Sequence, residues 1–188
     1  MIKNRRAFIV GLKSSTLSNK EIIFLKKYKP WGIILFSRNV KSIEQTKKLT
    51  NKIKMIFKDK KYPILIDQEG GRVNRLSKII SFDNLTSEYF GNLFTKDKKK
   101  FNIIYKLFVD KTSYLLKSIG VNINTAPVLD LRVKGSSSII GDRSFSKNKK
   151  IVSKIGDICI SYFNENSIGT VIKHIPGHGL AKADSHNF

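Results

Sequence analysis

The sequence predicts an α/β fold built on a parallel sheet, and three observations predict it. Short β-branched apolar runs alternate with longer amphipathic stretches along the chain. Several of those runs are apolar on both faces, as strands covered on both sides are. Ionisable and polar residues collect just past the C-terminal end of one run after another.

The runs, in order, are Ala7–Leu12 (AFIVGL), Trp31–Phe36 (WGIILF), Pro63–Asp67 (PILID), Val121–Val128 (VNINTAPV) and Gly169–Ile175 (GTVIKHI). Each is a predicted strand. Between them, Ser42 is placed to cap a helix over Ile43–Phe57 with an apolar stripe of Ile43, Leu49, Ile53 and Ile56. A second helix is predicted over Phe101–Ile119, with Ile103, Ile104, Leu107, Phe108, Leu115, Leu116 and Ile119 at helical spacing. A third spans Ile151–Phe163 through Ile151, Ile155, Ile158, Cys159 and Tyr162.

A parallel sheet with helical crossovers closes either as an open doubly wound sheet or as a (β/α)8 barrel. Ser37-Arg38-Asn39, Asp67-Gln68-Glu69, Asp130 and Lys173-His174 each follow a different predicted strand. Barrels assemble active sites from many strand ends, whereas open sheets concentrate them at one switch point. The barrel is therefore the expectation. A full barrel takes ~250 residues, and this chain has 188 with five predicted strands. About five of eight βα units are expected, as one incomplete barrel domain over residues 1–188 whose C-terminal remainder is missing.

Composition bounds the function. At 40% hydrophobic the chain can bury a core, yet no apolar run approaches the ~20 residues of a membrane span. The basic cluster Lys3-Asn4-Arg5-Arg6 precedes only Ala7–Leu12, too short for a signal sequence's apolar region. The cell interior, with no membrane partner, is the expectation. The single cysteine, Cys159, falls in an apolar helical pattern and reads as an inert core thiol. A net charge of +22 invites a nucleic-acid reading. However, Lys, Ile and Asn account for 69 of the 188 residues, as A/T-rich codons impose, and the lysines are scattered along amphipathic segments. No specific nucleic-acid partner is expected.

Two stretches carry chemistry on their own terms. Asp67-Gln68-Glu69-Gly70-Gly71-Arg72-Val73-Asn74-Arg75 holds two carboxylates among guanidiniums and glycines. It suits either a polar ligand approached by backbone or a βα turn with local salt bridges. In Ile140-Gly141-Asp142-Arg143-Ser144-Phe145, Arg143 could fork onto a carboxylate or sugar hydroxyls, or pair with Asp142. All three histidines fall at 174, 178 and 186. His174 and His178 have the i, i+4 spacing of helical metal ligands, but Pro176-Gly177 between them breaks a helix, and no metal site is expected. Asp184 and His186 can meet on a loop, where the carboxylate would fix the imidazole tautomer and make a general acid/base near neutral pH.

IDQEGGRVNRL (Ile66–Leu76), NINTAPVLDL (Asn122–Leu131), IGDRSFS (Ile140–Ser146) and KHIPGHGLAKADSH (Lys173–His186) occur in that order. Together with WGIILFSRN (Trp31–Asn39), they closely resemble the β-N-acetylglucosaminidases of glycoside hydrolase family 3, in particular single-domain bacterial enzymes of cell-wall recycling. The resemblance implies a TIM-barrel glycosidase that removes terminal β-N-acetylglucosamine from muropeptides, retaining configuration and needing no cofactor. It also implies His186 as general acid/base with Asp184 orienting it, and Asp67, Arg75, Arg143, Lys173 and His174 holding the sugar. His178 matches as a loop-shaping residue. Ile175 stands where the family usually has phenylalanine. The family's nucleophilic aspartate follows the Asp-Ser-His loop on a later strand, so it is expected to be absent from this chain.

Overall fold

Five parallel strands lie side by side in chain order: β1 (Arg6–Gly11), β2 (Pro30–Leu35), β3 (Ile64–Ile66), β4 (Ile123–Asn124) and β5 (Gly169–Thr170). The computed structural model describes residues 4–133, 135, 138–175 and 177–181. Strictly sequential order is how a barrel wall grows, whereas a doubly wound sheet reverses direction at a switch point. The fold is therefore the barrel type, with five strands joined by four βα connections among the described residues.

Helices α1 (Asn19–Tyr28), α2 (Ile43–Ile56), α3 (Ser87–Lys96), α4 (Lys98–Ser118) and α5 (Lys149–Glu165) fill the connections. Ser42 caps α2 by accepting from the Gln45 amide, as its position predicts. Helix α1 is set by a capping box, in which Ser18 accepts from Glu21 N–H and Glu21 reaches back to Ser18 N–H. Neither α1 nor α3 is among the predicted helices.

The core lies between the sheet and the helices. Ile33, Leu35, Ile64 and Ile66 pack with Leu49, Ile53, Phe101, Val109, Leu116, Ile155 and Phe163 in one buried cluster. Aromatic rings join α3 to α4, with Phe90 edge-on to Tyr105 at 4.7 Å between centroids. The buried face of α4 runs through Phe101, Tyr105, Phe108, Val109, Thr112 and Leu116. Ile103 and Leu107, which the apolar spacing assigns to the core, are exposed instead. Leu107 is one position from buried Phe108, a rotation of roughly 100° about the helix axis, and Ile103 is two positions from both Phe101 and Tyr105, on the far side of the helix.

Two further expectations change. Strands β4 and β5 hold two residues each, far shorter than Val121–Val128 and Gly169–Ile175. The chain leaves the ladder at once to form the loops of the site, rejoining only at a single parallel bridge between Val128 and Lys173. Strand β1 is covered on one face only, because Ala7, Ile9 and Gly11 are exposed while Phe8 and Val10 are partly covered. No helix among the described residues is long and apolar enough to cross a membrane. Cys159 is buried in α5, and burial pushes its thiol up to about 12, so it is un-ionised at neutral pH.

Candidate active site

The site sits where β3, β4 and β5 end. Asp67 directly follows β3, Thr125 follows β4, and Lys173 lies three residues beyond β5. Parallel strands in register bring these three to one level although they are far apart in sequence. Lys173 Nζ lies 2.9 Å from Asp67 Oδ1 and 2.6 Å from Glu69 Oε1, with Thr125 Oγ1 at 3.4 Å. The Thr125 hydroxyl also donates to Asp67 Oδ1. Arg75 approaches the other oxygen, Nη2 to Oδ2 at 3.6 Å.

Burial alone would raise the Asp67 carboxyl. The Lys173 ammonium, the Thr125 hydroxyl and the Arg75 guanidinium outweigh it and hold Asp67 below the usual carboxylate range. Asp67 is therefore a fixed anion, still partly open to solvent. Arg75 Nε is buried with no hydrogen-bond partner among the described residues. Its ion-pair contact with Asp67 is long, so the guanidinium is not saturated by that carboxylate.

The turn after Asp67 is closed by Glu69 N–H to Val73 C=O at 3.1 Å and Val73 N–H to Gly70 C=O at 3.2 Å. Gly70 has φ +95°, and a Cβ there would sit 2.4 Å from the Leu85 carbonyl oxygen. Glycine is thus required for the turn to lie against the chain entering α3. Asn124 clamps the base of the turn, accepting from Gln68 N–H and donating to Gln68 C=O.

The alternatives for Arg143 resolve as a fork on Glu69, Nε to Oε2 at 2.8 Å and Nη2 to Oε1 at 2.9 Å. Burial disfavours the guanidinium's charge, but the Glu69 hydrogen bonds and charge more than offset it, so Arg143 is held more firmly protonated. Asp142 pairs instead with Arg72, Nε to Oδ1 at 2.8 Å, and Arg72 also donates to the carbonyls of Ser138, Ile139 and Ile140. The loop after β3 and the loop before α5 are thereby joined.

His174 Nδ1 lies 2.6 Å from Asp130 Oδ2, a carboxylate with no exposed side-chain surface. The His178 and Gly179 amides donate to Asp130 Oδ1 at 2.5 and 3.2 Å. Burial works to raise Asp130, but these bonds, above all from His174, keep it below the usual range. The segment holding His174 and His178 is not helical. The two rings are 5.8 Å apart, tilted by 62°, and His174 Nδ1 is already committed to Asp130.

Asp67, Arg75, Arg143, Lys173 and His174 thus converge at the strand ends. Asp184 and His186 lie outside the described residues. Ser37-Arg38-Asn39 does not join the cluster. Arg38 Nε donates to Leu12 C=O at 2.8 Å, and Asn39 donates to Leu12 and Ser14 carbonyls, tying β1 to β2. Three participants carry no assignment in the sequence reading: Glu69, Thr125 and Asp130. Glu69 and Asp130 were visible there as strand-end acids, whereas Thr125 offers no signal beyond its place after β4.

Comparison with known proteins defines the class first. Residues 9–187 match the glycosyl hydrolase family 3 N terminal domain, and the chain belongs to that family. Among curated proteins it is 35% identical to a beta-hexosaminidase of Hydrogenovibrio crunogenus, over 95% of this chain and 49% of that protein. A beta-hexosaminidase of Thioalkalivibrio sulfidiphilus is 30% identical, over 95% of this chain and 50% of that protein. The chain therefore spans about half the length of these relatives. Native NagZ from Neisseria gonorrhoeae superposes with a TM-score of 0.86 at 28% identity, covering 98% of this chain and 53% of that one. A family 3 beta-N-acetylglucosaminidase from Paenibacillus sp. gives 0.80 at 27% identity, covering 95% of this chain and 33% of that one.

Proposed function

We propose that the chain forms the sugar-binding half of a β-N-acetylhexosaminidase that releases terminal β-N-acetylglucosamine from muropeptides inside the cell. The observation that carries this reading is the Asp67–Lys173–Arg75 group: an anion fixed between two cations at the mouth of a barrel wall. A carboxylate flanked by N–H donors matches vicinal sugar hydroxyls, each of which both donates and accepts. Arg143, forked on Glu69, and His174, held by Asp130, stand beside this group at the same end of the sheet.

In the proposed reaction His186, steadied by Asp184, gives its proton to the glycosidic oxygen as a carboxylate attacks the anomeric carbon and the C–O bond breaks. Water then enters, losing a proton to the imidazole as the glycosyl–enzyme bond opens. The attacking carboxylate is not one of the described strand-end acids. Asp67 holds Lys173 and Thr125, Glu69 is filled by Arg143 and Lys173, and Asp130 accepts four donors. That engagement favours a second reading of this chain by itself, as a sugar-binding protein without turnover.

Titration of the chain with N-acetylglucosamine, paired with release of nitrophenol from its β-nitrophenyl glycoside, tests both. In a chain completed with the second carboxylate, hydrolysis that falls ~10²–10⁴-fold in His186→Ala supports the enzyme. Saturable binding without hydrolysis, lost in Lys173→Ala, supports the second reading. Neither binding nor hydrolysis overturns both.

A further inference from the structure

Asp130 makes four hydrogen bonds, divided between its two oxygens. Oδ2 holds His174, taking the ring at Nδ1 (2.6 Å) and the backbone N–H (3.2 Å). Oδ1 holds the chain four and five residues further on, through the amides of His178 and Gly179. The side chain is fully buried, so it touches no ligand itself.

The backbone is shaped to permit this. Gly179 lies so close to the strand-end chain that a Cβ would fall 2.2 Å from Leu131 O and 2.9 Å from Leu131 N. Any side chain there would push the segment away from Asp130. The neighbouring Gly177 has φ +139°, a conformation side chains rarely adopt. Two glycines and one carboxylate thus pin a segment that leads, within five residues of Gly179, to Asp184.

We infer that Asp130 is a positioning residue that holds the sugar-facing imidazole of His174 and the backbone at His178 and Gly179 on a single carboxylate. This rests on the reading of the site as a glycoside-binding one. With Nδ1–H donated to Asp130, His174 presents Nε2 to the ligand side as an acceptor when the ring is neutral. The same carboxylate fixes the backbone at His178 and Gly179, so the His174 ring and the loop after it share one reference point. An amide cannot replace it. Asparagine has one acceptor oxygen where two are needed, and its NH2 would face either the His174 ring or the His178 and Gly179 amides.

The test uses the full chain labelled uniformly with 15N, whose three histidine rings are assigned from His178→Gln and His186→Gln. Long-range 1H–15N spectra read the tautomer of His174, amide exchange reads Gly179, and titration with N-acetylglucosamine reads binding. The wild type is expected to show His174 as the Nδ1–H tautomer with a protected Gly179 amide. Asp130→Asn should either switch His174 to Nε2–H or speed Gly179 exchange at least tenfold, and weaken sugar binding about tenfold. Gly179→Ala should speed exchange while leaving the His174 tautomer unchanged. An Nε2–H tautomer in the wild type overturns the inference, as does Asp130→Asn with both readouts unchanged. Unchanged sugar affinity in a variant whose tautomer has switched overturns the positioning role. If the wild type binds no sugar, the glycosidase reading fails, while the tautomer and exchange data still judge the anchor.

Discussion

The Glu69 carboxylate takes the Arg143 guanidinium edge-on through two near-parallel bonds of 2.8 and 2.9 Å, and shares Oε1 with Lys173 at 2.6 Å. One buried anion therefore holds two cations that reach it from loops more than 70 residues away in sequence. Removing the anion strands the Arg143 guanidinium and leaves Lys173 with Asp67 alone. Glu69→Ala is expected to lower stability by about 3–5 kcal/mol in urea unfolding, the range for breaking a buried pair. Arg143→Ala should cost less, because Lys173 still faces Glu69. Equal losses in the two variants would show that Lys173 does not share the load.

Asn39 has no solvent exposure and uses both ends of its amide: Oδ1 accepts from Phe36 N–H at 2.9 Å, while Nδ2 donates to Leu12 and Ser14 carbonyls. Asn39→Leu keeps the branched shape and abandons Phe36 N–H and the Ser14 carbonyl, while Arg38 still donates to the Leu12 carbonyl. A loss of about 1–3 kcal/mol is expected for each that stays unsatisfied, seen as a lower urea midpoint with an unchanged slope. A midpoint within error of wild type would mean water replaces the amide.

Asp67 and Asp130 both titrate below the usual carboxylate range in the folded chain. The unfolded chain then binds more protons than the folded one as the pH drops. Their contribution to stability is complete above the unfolded value of about 4 and is lost as the pH falls through the folded values. Urea midpoints measured from about pH 6 down to about pH 3 should fall, and fall less steeply in Asp67→Asn. A midpoint that rises on acidification would contradict the ion-pair geometry.

Gly70→Ala adds a Cβ at φ +95°, pressed against the Leu85 carbonyl. Backbone strain alone costs of order 1–3 kcal/mol, and the clash adds to it. The expected outcome is a lower melting temperature together with weakened sugar binding, because Glu69 and Asp67 flank the same turn. A variant as stable as wild type would mean that the turn can relax away from α3.

The centres of β1, β2 and β3 and of α2, α4 and α5 were legible because each carries a continuous apolar pattern, whereas the runs around β4 and β5 gave their places but not their two-residue lengths. Helix α1 was hidden, since only Leu25 is buried while Ile23 and Phe24 face solvent, which blurs its periodicity. Its Ser18-x-x-Glu21 capping box was the signal to follow. Helix α3 is short and carries Gly91 on its buried face, where a Cβ would collide with the Phe145 carbonyl. Spacing could bring Asp67 and Lys173 only to the same end of the sheet. Their contact, across 106 residues of sequence, depends on the sequential register of β3, β4 and β5. Glu69 and Asp130 were seen as acids but not as anchors, because what separates the two roles is burial.

Cys159 lies inside α5, walled off by the core and un-ionised there. Released into water, the same sulfur ionises near ~8.5 and reacts quickly with alkylating reagents at neutral pH. Being the sole cysteine in the chain, it works as a stopwatch. The pace at which a thiol reagent marks the protein counts how often the α5 region springs open, with no engineered probe required.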